Sequence, residues 1–497
     1  MIRTHLRRVV PVLVALALAA SCSSYHLGDD QLASKAGDAR TAGTTGDGGI
    51  VDTADGASAP DVVPGLEAGA AQPGRAPSSN AAAGSTARTA SDRGVTADTI
   101  KLGIMATSAD AIAELSSSYK GKTMEQIAKP FIDEVNNNGG INGRRIVPAY
   151  SGFNPASADS MLAACVNQAE DHKVFAALAL VGFYGEGEVC MANKQTPTLS
   201  PSNSAEYTLY DREQGWVRQT SMNKDRALRN WIDWMAASRT ATPQTKIGLI
   251  YTDVPEDRKV VQDTVVPYLK AKGLNVSETA IFTLSSIDAM VAEAQRAAFR
   301  FKASGVELVL PVTNFLQMFL FVQQADLAGY VPRYSVSDFG AMATDAVSFY
   351  PATQWDGVTG ITSTLTGQPL KNEVPDFPAA QECFGVYKAA GMAFNRNPDN
   401  PALPDDVEVT AMLQACEHVA LFADAARRAG INPTRKSFLE AVGNTGRWGY
   451  RVTGSPPLTL TPNRYDSVDN YAVVRWQPGC NGREGCYRRI EGFRPGQ

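Results

Sequence analysis

Asn136-Asn137-Asn138-Gly139-Gly140-Ile141-Asn142-Gly143-Arg144 is the stretch on which the reading of this 497-residue chain turns. The Gly pair suits a left-handed end to a helix, and Asn-Gly suits a tight turn. Upstream, Met124, Ile127, Ala128, Phe131, Ile132 and Val135 recur at helical spacing and predict a helix over Lys122 to Asn138. Pro130 inside it predicts a kink or a late start. Downstream, Arg145 to Tyr150 reads as a short strand. Taken alone, the stretch is a helix-to-strand connection and carries no function.

The chain around it keeps the same alternation. Strands are expected at Ile100 to Met105, Val174 to Val181 and Thr196 to Ser200, with helices at Ala156 to Asp171 and around Glu188 to Asn193. A second series runs through strands at Lys246 to Tyr251, Glu278 to Leu284, Val306 to Val312 and Arg333 to Val336. Helices at Asp257 to Lys272, Asp288 to Ala303 and Asn314 to Ala328 separate them. The strands are apolar enough to be buried on both faces, as in parallel sheets. Two parallel sheets covered by helices fit this rhythm, and so does a single large barrel. The last third supplies helices at Pro378 to Ala393, Val407 to Ala429 and Thr434 to Val442, then strands at Leu458 to Thr461 and Tyr471 to Trp476.

The first residues belong to no such series. Met1 to Ser21 carries Arg3, Arg7 and Arg8, an apolar run from Val9 to Ala20, and a small-residue site, which together read as an export signal. The run is short of the roughly 20 residues that cross a bilayer as a helix. Ala19-Ala20-Ser21-Cys22 resembles a lipoprotein box and marks Cys22 for lipidation. Removing residues 1–21 takes away three Arg and no acid, leaving the mature chain near −8. That balance excludes nucleic acid as a partner, because such binding needs a basic surface. From 22 to 95 the composition is Ala, Gly, Ser, Thr, Asp and Pro, with no aromatic between His26 and Thr99, so no core can form. As a flexible tether of about 70 residues it reaches on the order of 45 Å.

About 400 residues remain, enough for two sizeable cores. The order strand, long helix, Gly-Gly-Ile-Asn-Gly-Arg, strand resembles the first unit of the leucine/isoleucine/valine-type solute-binding proteins of bacterial importers, and the match runs from about Val95 to Trp476. The resemblance implies the type I periplasmic binding protein fold: two flavodoxin-like α/β lobes with parallel sheets, joined by three crossover segments, with the ligand between them. The binding domain then spans 96–476, with lobe 1 at about 96–205 and 360–445 and lobe 2 at about 225–337 and 446–476. Crossings fall near Ala205 to Lys224, Asp338 to Ser363 and Thr445 to Thr459, and 477–497 is left as a Cys-containing tail.

Seven Cys suit an exported protein, and without Cys22 six remain, for which fifteen connectivities exist. Cys165 and Cys190 flank the strand Val174 to Val181 and can meet beside it. The expected pairs are Cys165 with Cys190, Cys383 with Cys416 and Cys480 with Cys486.

Catalytic patterns are lacking in the sequence. Of four His, His5 and His26 lie in the signal and tether, leaving His172 and His418. No Gly-x-Ser-x-Gly elbow, His-Glu-x-x-His or paired Cys-x-x-Cys occurs. Lys120-Gly121-Lys122-Thr123 imitates the end of a phosphate loop, but Ser116 stands where the earlier Gly is required. Gly182 to Gly187 lacks the dinucleotide spacing. The chain reads as no enzyme, with no cofactor and no metal.

Ligands of open α/β sheets sit outside the carboxyl ends of the strands. By the resemblance, the turn Ser200-Pro201-Ser202-Asn203-Ser204 holds the ligand's carboxylate through Ser202 and Ser204, although Ser and Asn suit an ordinary turn or cap equally. Asp338 falls on the acidic residue that receives the ligand's ammonium; its competing reading is an N-cap for Phe339-Gly340-Ala341. Asn314 and Tyr119 fall at or near further ligand positions of the family, and Tyr184 is a candidate because Gly182 to Gly187 follows a strand and could approach a ligand. Between Gly182 and Pro201 the chain is about five residues shorter than the leucine-binding proteins, as judged by the resemblance. Glu186 and Glu188 there either repel a carboxylate or sit solvated on a helix face. The implied role is a lipoprotein on the outer face of the cell membrane that passes an amino acid or related small polar metabolite to an ABC permease. A ligand-sensing receptor lipoprotein of the same fold is the alternative.

Overall fold

A computed structural model describes residues 87–111, 121–154, 157–180, 186–201, 207–283, 287–313, 315–343, 347, 350–363, 378–395, 406–452, 455–479 and 485–496. The expected helix is Met124–Asn137. It starts at a capping box, in which Thr123 accepts from the Gln126 backbone and Gln126 accepts from the Thr123 N–H. Pro130 lies inside the helix and does not delay its start. Gly139, Gly140, Asn142 and Gly143 take φ of 90°, 64°, 49° and 83°, the left-handed region that Gly and Asn tolerate best. A Cβ on Gly140 would meet the Arg144 carbonyl oxygen at 2.0 Å, so the turn admits no side chain there.

The turn releases the chain into a five-stranded parallel sheet. Its strands are β1 (Thr99–Thr107), β2 (Arg145–Phe153), β3 (Ala176–Ala179), β4 (Thr198–Ser200) and β5 (Val217–Gln219), in the order β2-β1-β3-β4-β5. The second sheet contains β6 (Ile247–Thr252), β7 (Val276–Phe282), β8 (Leu308–Val312), β9 (Arg333–Val336) and β10 (Thr359–Thr362). The short pair β11 (Gly446–Trp448) and β12 (Leu458–Leu460) follows, and then β13 (Asn470–Pro478) and β14 (Gly485–Pro495) rejoin the second sheet. Its order is β14-β13-β10-β9-β8-β6-β7, with β6 to β10 parallel and β13 and β14 antiparallel to their neighbours. The fold is therefore the two-lobed α/β architecture of type I, not a barrel.

Four boundaries differ from the sequence reading. Residues after 476 do not form a tail: β14 pairs with β13 along its length, and Tyr487 is buried against Trp476 with ring centroids 5.1 Å apart. Residues 446–468 do not belong to the second lobe, because Trp448, Val452, Leu458, Leu460 and Val468 join the first lobe's core beside Phe422 and Phe438. The third crossing therefore falls after β12, and not at Thr445 to Thr459. Val217–Gln219, expected within the first crossing, is the fifth strand of the first sheet, and the segment from Met342 to Val358 stays in the second lobe's core until β10 ends.

The first lobe is also cross-linked. Cys165–Cys190 and Cys383–Cys416 form as expected, each on the order of 3–4 kcal/mol on the chain-entropy view of loops of these lengths. Cys486 is disulfide-bonded, and Cys480 lies outside the described residues. No described helix is long and apolar enough to cross a membrane.

Candidate functional site

The first and third crossings run side by side and are joined by backbone and charge. Gln219 N donates to the Tyr465 carbonyl at 2.7 Å, and Ser467 N donates to the Ser221 carbonyl at 3.2 Å. Arg226 and Arg464 converge on Asp466 and Asp469, while Asn223 N donates to Asp466 Oδ2 at 2.9 Å. This network fixes where the chain leaves one lobe and enters the other. The second crossing departs from Ser363, directly after β10.

The carboxyl ends of the second sheet supply the site's polar groups. Thr252, the last residue of β6, donates to Gln317 Oε1 at 2.7 Å, and the Thr313 hydroxyl, after β8, lies 2.9 Å from the Thr252 hydroxyl, all three residues buried. Asp338 follows β9. Its carboxylate accepts from both the backbone N–H and the hydroxyl of Ser363, which carries the second crossing. Burial pushes the Asp338 carboxyl above its ordinary pKa, and the Ser363 and Thr362 hydrogen bonds oppose that rise. Asp338 makes no side-chain cap for Phe339–Ala341, so the N-cap reading fails: the carboxylate points across to the neighbouring strand end.

Lys224 was not singled out by sequence. It occupies the first turn of the helix Lys224–Ala237 behind the N-cap Asn223, with its side chain 1% exposed. A cation there faces the positive end of the helix dipole, so burial requires a compensating anion. Asp257 supplies it: Oδ1 lies 2.5 Å from the ammonium, and the Phe339 ring centroid is 4.0 Å away. Burial raises the Asp257 pKa and Lys224 pulls it back down. The available signal was a lysine at a helix start immediately after a crossing.

Asp338 and Lys224 meet at a small pocket, partly open to solvent, that is lined by Met222, Lys224, Ala227, Asp338, Phe339 and Ser363. Residues of the first crossing and its helix, the β9 end and the second crossing thus share one wall. Of the expected ligand residues, only Asp338 is among those described; Ser202, Ser204, Asn314, Tyr119 and Tyr184 lie outside them. Of Glu186 and Glu188, the solvated reading holds for the first alone. Glu186 pairs with Arg212 at the surface, whereas Glu188 is fully buried within 3.4 Å of Gln219 Nε2 and is not solvated.

Comparison with known proteins agrees with this architecture. A leucine-complexed ABC transporter substrate-binding protein from Desulfitobacterium hafniense is 13% identical with a TM-score of 0.53, covering 79% of this chain and 100% of that chain. A Rhodopseudomonas palustris solute-binding protein in complex with 3,4-dihydroxybenzoic acid is 14% identical, TM-score 0.58, covering 80% of this chain and 98% of its own. A fatty acid ABC transporter substrate-binding protein from Thermomonospora curvata is 15% identical, TM-score 0.56, covering 81% and 94%. No curated protein sequence matches the chain. The family profile described as periplasmic binding protein matches residues 99–481, nearly all of both lobes, and the chain belongs to that family.

Proposed function

We propose that the chain is the extracytoplasmic ligand-binding component of an ABC importer, lipid-anchored through Cys22, and that it closes its lobes on a small amino-bearing metabolite. The observation that carries this reading is Asp338: a half-buried carboxylate at the end of β9, lining the cavity between two crossings. A charge-assisted bond to a ligand ammonium would orient the ligand and reject uncharged look-alikes. Ser202 and Ser204, which follow β4 in sequence, are proposed as the complementary group for a carboxylate, which leucine and 3,4-dihydroxybenzoic acid both carry in the neighbours. Asn314, Tyr119 and Tyr184 are proposed to complete the walls. Closure is then a population shift, because contacts to both lobes exist only in the closed form.

Thermal shift against amino acids, amides, polyamines, sugars and aromatic acids tests this reading, since a ligand of the folded state raises apparent stability with its concentration. Amino-bearing compounds are expected to respond, and Asp338→Ala to abolish the response. Full affinity for an amine in Asp338→Ala would remove the assigned role.

A further inference from the structure

Lys224 carries more bonding capacity than the fold uses. Its ammonium gives one hydrogen to Asp257 Oδ1 and faces the Phe339 ring with a second. An ammonium has three donors, and the third has no partner among the described residues. The same side chain lines the cavity beside Asp338 and Ser363, so an acceptor for that hydrogen can come from whatever the cavity holds. The charge balance restricts the acceptor. Asp257 already offsets Lys224 and the ligand's own ammonium offsets Asp338, so a carboxylate on Lys224 would leave three anions to two cations in a poorly solvated space. A neutral oxygen adds no such charge.

We propose that Lys224 is a specificity-determining residue of the cleft: its spare N–H selects an amino-bearing ligand that also presents an uncharged oxygen, a hydroxyl or an amide carbonyl, to the same cavity. The proposal rests on the amine reading given above and narrows it to oxygen-bearing amines over aliphatic ones. A site that donates to a ligand oxygen discriminates against the analogue lacking it by up to about 10⁴–10⁵-fold, because the donor is then left unpaired.

The test is titration calorimetry on the purified protein with near-isosteric pairs: L-threonine against L-valine, L-asparagine against L-leucine, and L-glutamine against L-norleucine. At least one oxygen-bearing member is expected to bind about tenfold or more tightly than its partner. Lys224→Met, which keeps length and loses the donor, is expected to erase that gap, and Lys224→Arg to retain part of it. Should Lys224→Met fail to fold, Lys224→Met combined with Asp257→Asn removes both charges and is expected to erase the gap equally. Equal binding within every pair, tighter binding of the aliphatic members, or a gap that survives in Lys224→Met each overturns the assignment. If amines bind and Asp338→Asn abolishes this while the pairs stay equal, only the role of Lys224 falls. If no amine binds the wild-type protein, the amine reading falls and the assignment with it.

Discussion

Thr220 Oγ1 and His418 Nε2 lie 2.9 Å apart, which joins the first crossing to the helix Asp406–Arg428 of the first lobe. The other ring nitrogen faces the Gln414 carbonyl at 2.8 Å, so the neutral tautomer donates from Nδ1 and accepts from Thr220. Burial lowers the His418 pKa from 6.5, with Glu417 favouring the charged ring and Arg451 opposing it. The unfolded ring binds its proton near pH 6.5 and the folded ring only at lower pH. Stability is therefore flat with respect to this group above that value and falls as the pH drops below it, with a slope approaching about 1.4 kcal/mol per pH unit. Denaturant melts from pH 7.5 to 5 on the wild type and His418→Gln check this; an equal acid limb in both would rule it out.

Asp257→Asn is expected to destabilise by about 3–5 kcal/mol, because it strands the Lys224 ammonium in a buried site. Replacing both residues together with apolar ones is expected to cost far less. Urea unfolding of the single and double variants separates the two; equal losses would mean that the pair acts only as packing.

Gly140→Ala and Gly139→Ala share a left-handed backbone but differ in space. An added Cβ at Gly139 meets nothing within 4 Å, whereas at Gly140 it collides with the Arg144 carbonyl. Gly139→Ala should cost about 1–2 kcal/mol from backbone conformation alone, and Gly140→Ala clearly more. Thermal melts that rank them the other way would contradict the turn geometry.

Loss of the Cys383–Cys416 bridge, in a Cys383→Ser and Cys416→Ser double variant, is expected to destabilise by about 2–5 kcal/mol. It joins helices Pro378–Ala389 and Asp406–Arg428 within one lobe. Ligand affinity at a temperature where the variant stays folded should change little. A large affinity loss would place those helices in closure.

The alternation of apolar strands and amphipathic helices made the two sheets legible, because periodicity survives without tertiary information. Gly140 and Asn142 were legible because few other residues tolerate their φ. β14 was not: Arg488, Arg489, Glu491 and Arg494 make it read as polar, and only the edge of the second sheet turns it into a strand. The hairpin of β11 and β12 was assigned to the wrong lobe because local pattern does not say which core Trp448 and Leu458 enter. Asp338 was singled out because, counted from Gly329, it falls on the acidic residue of the family the sequence resembles, and its bonds to Ser363 follow from the pairing of β9 with β10. Lys224 escaped because its meaning depends on Asp257, 33 residues away.

Arg144, fully buried, donates to the backbone carbonyls of Thr89, Thr96 and Ile431, so the opening stretch binds the start of the folded chain to its last third. The first lobe's core likewise takes residues from Val95 through Val468. Its β1 to β5 half is synthesised first yet waits for helices and a hairpin made after the whole central part of the second lobe. The second lobe waits as well, for β13 and β14. Neither lobe can close its core until the chain has been made past Val468.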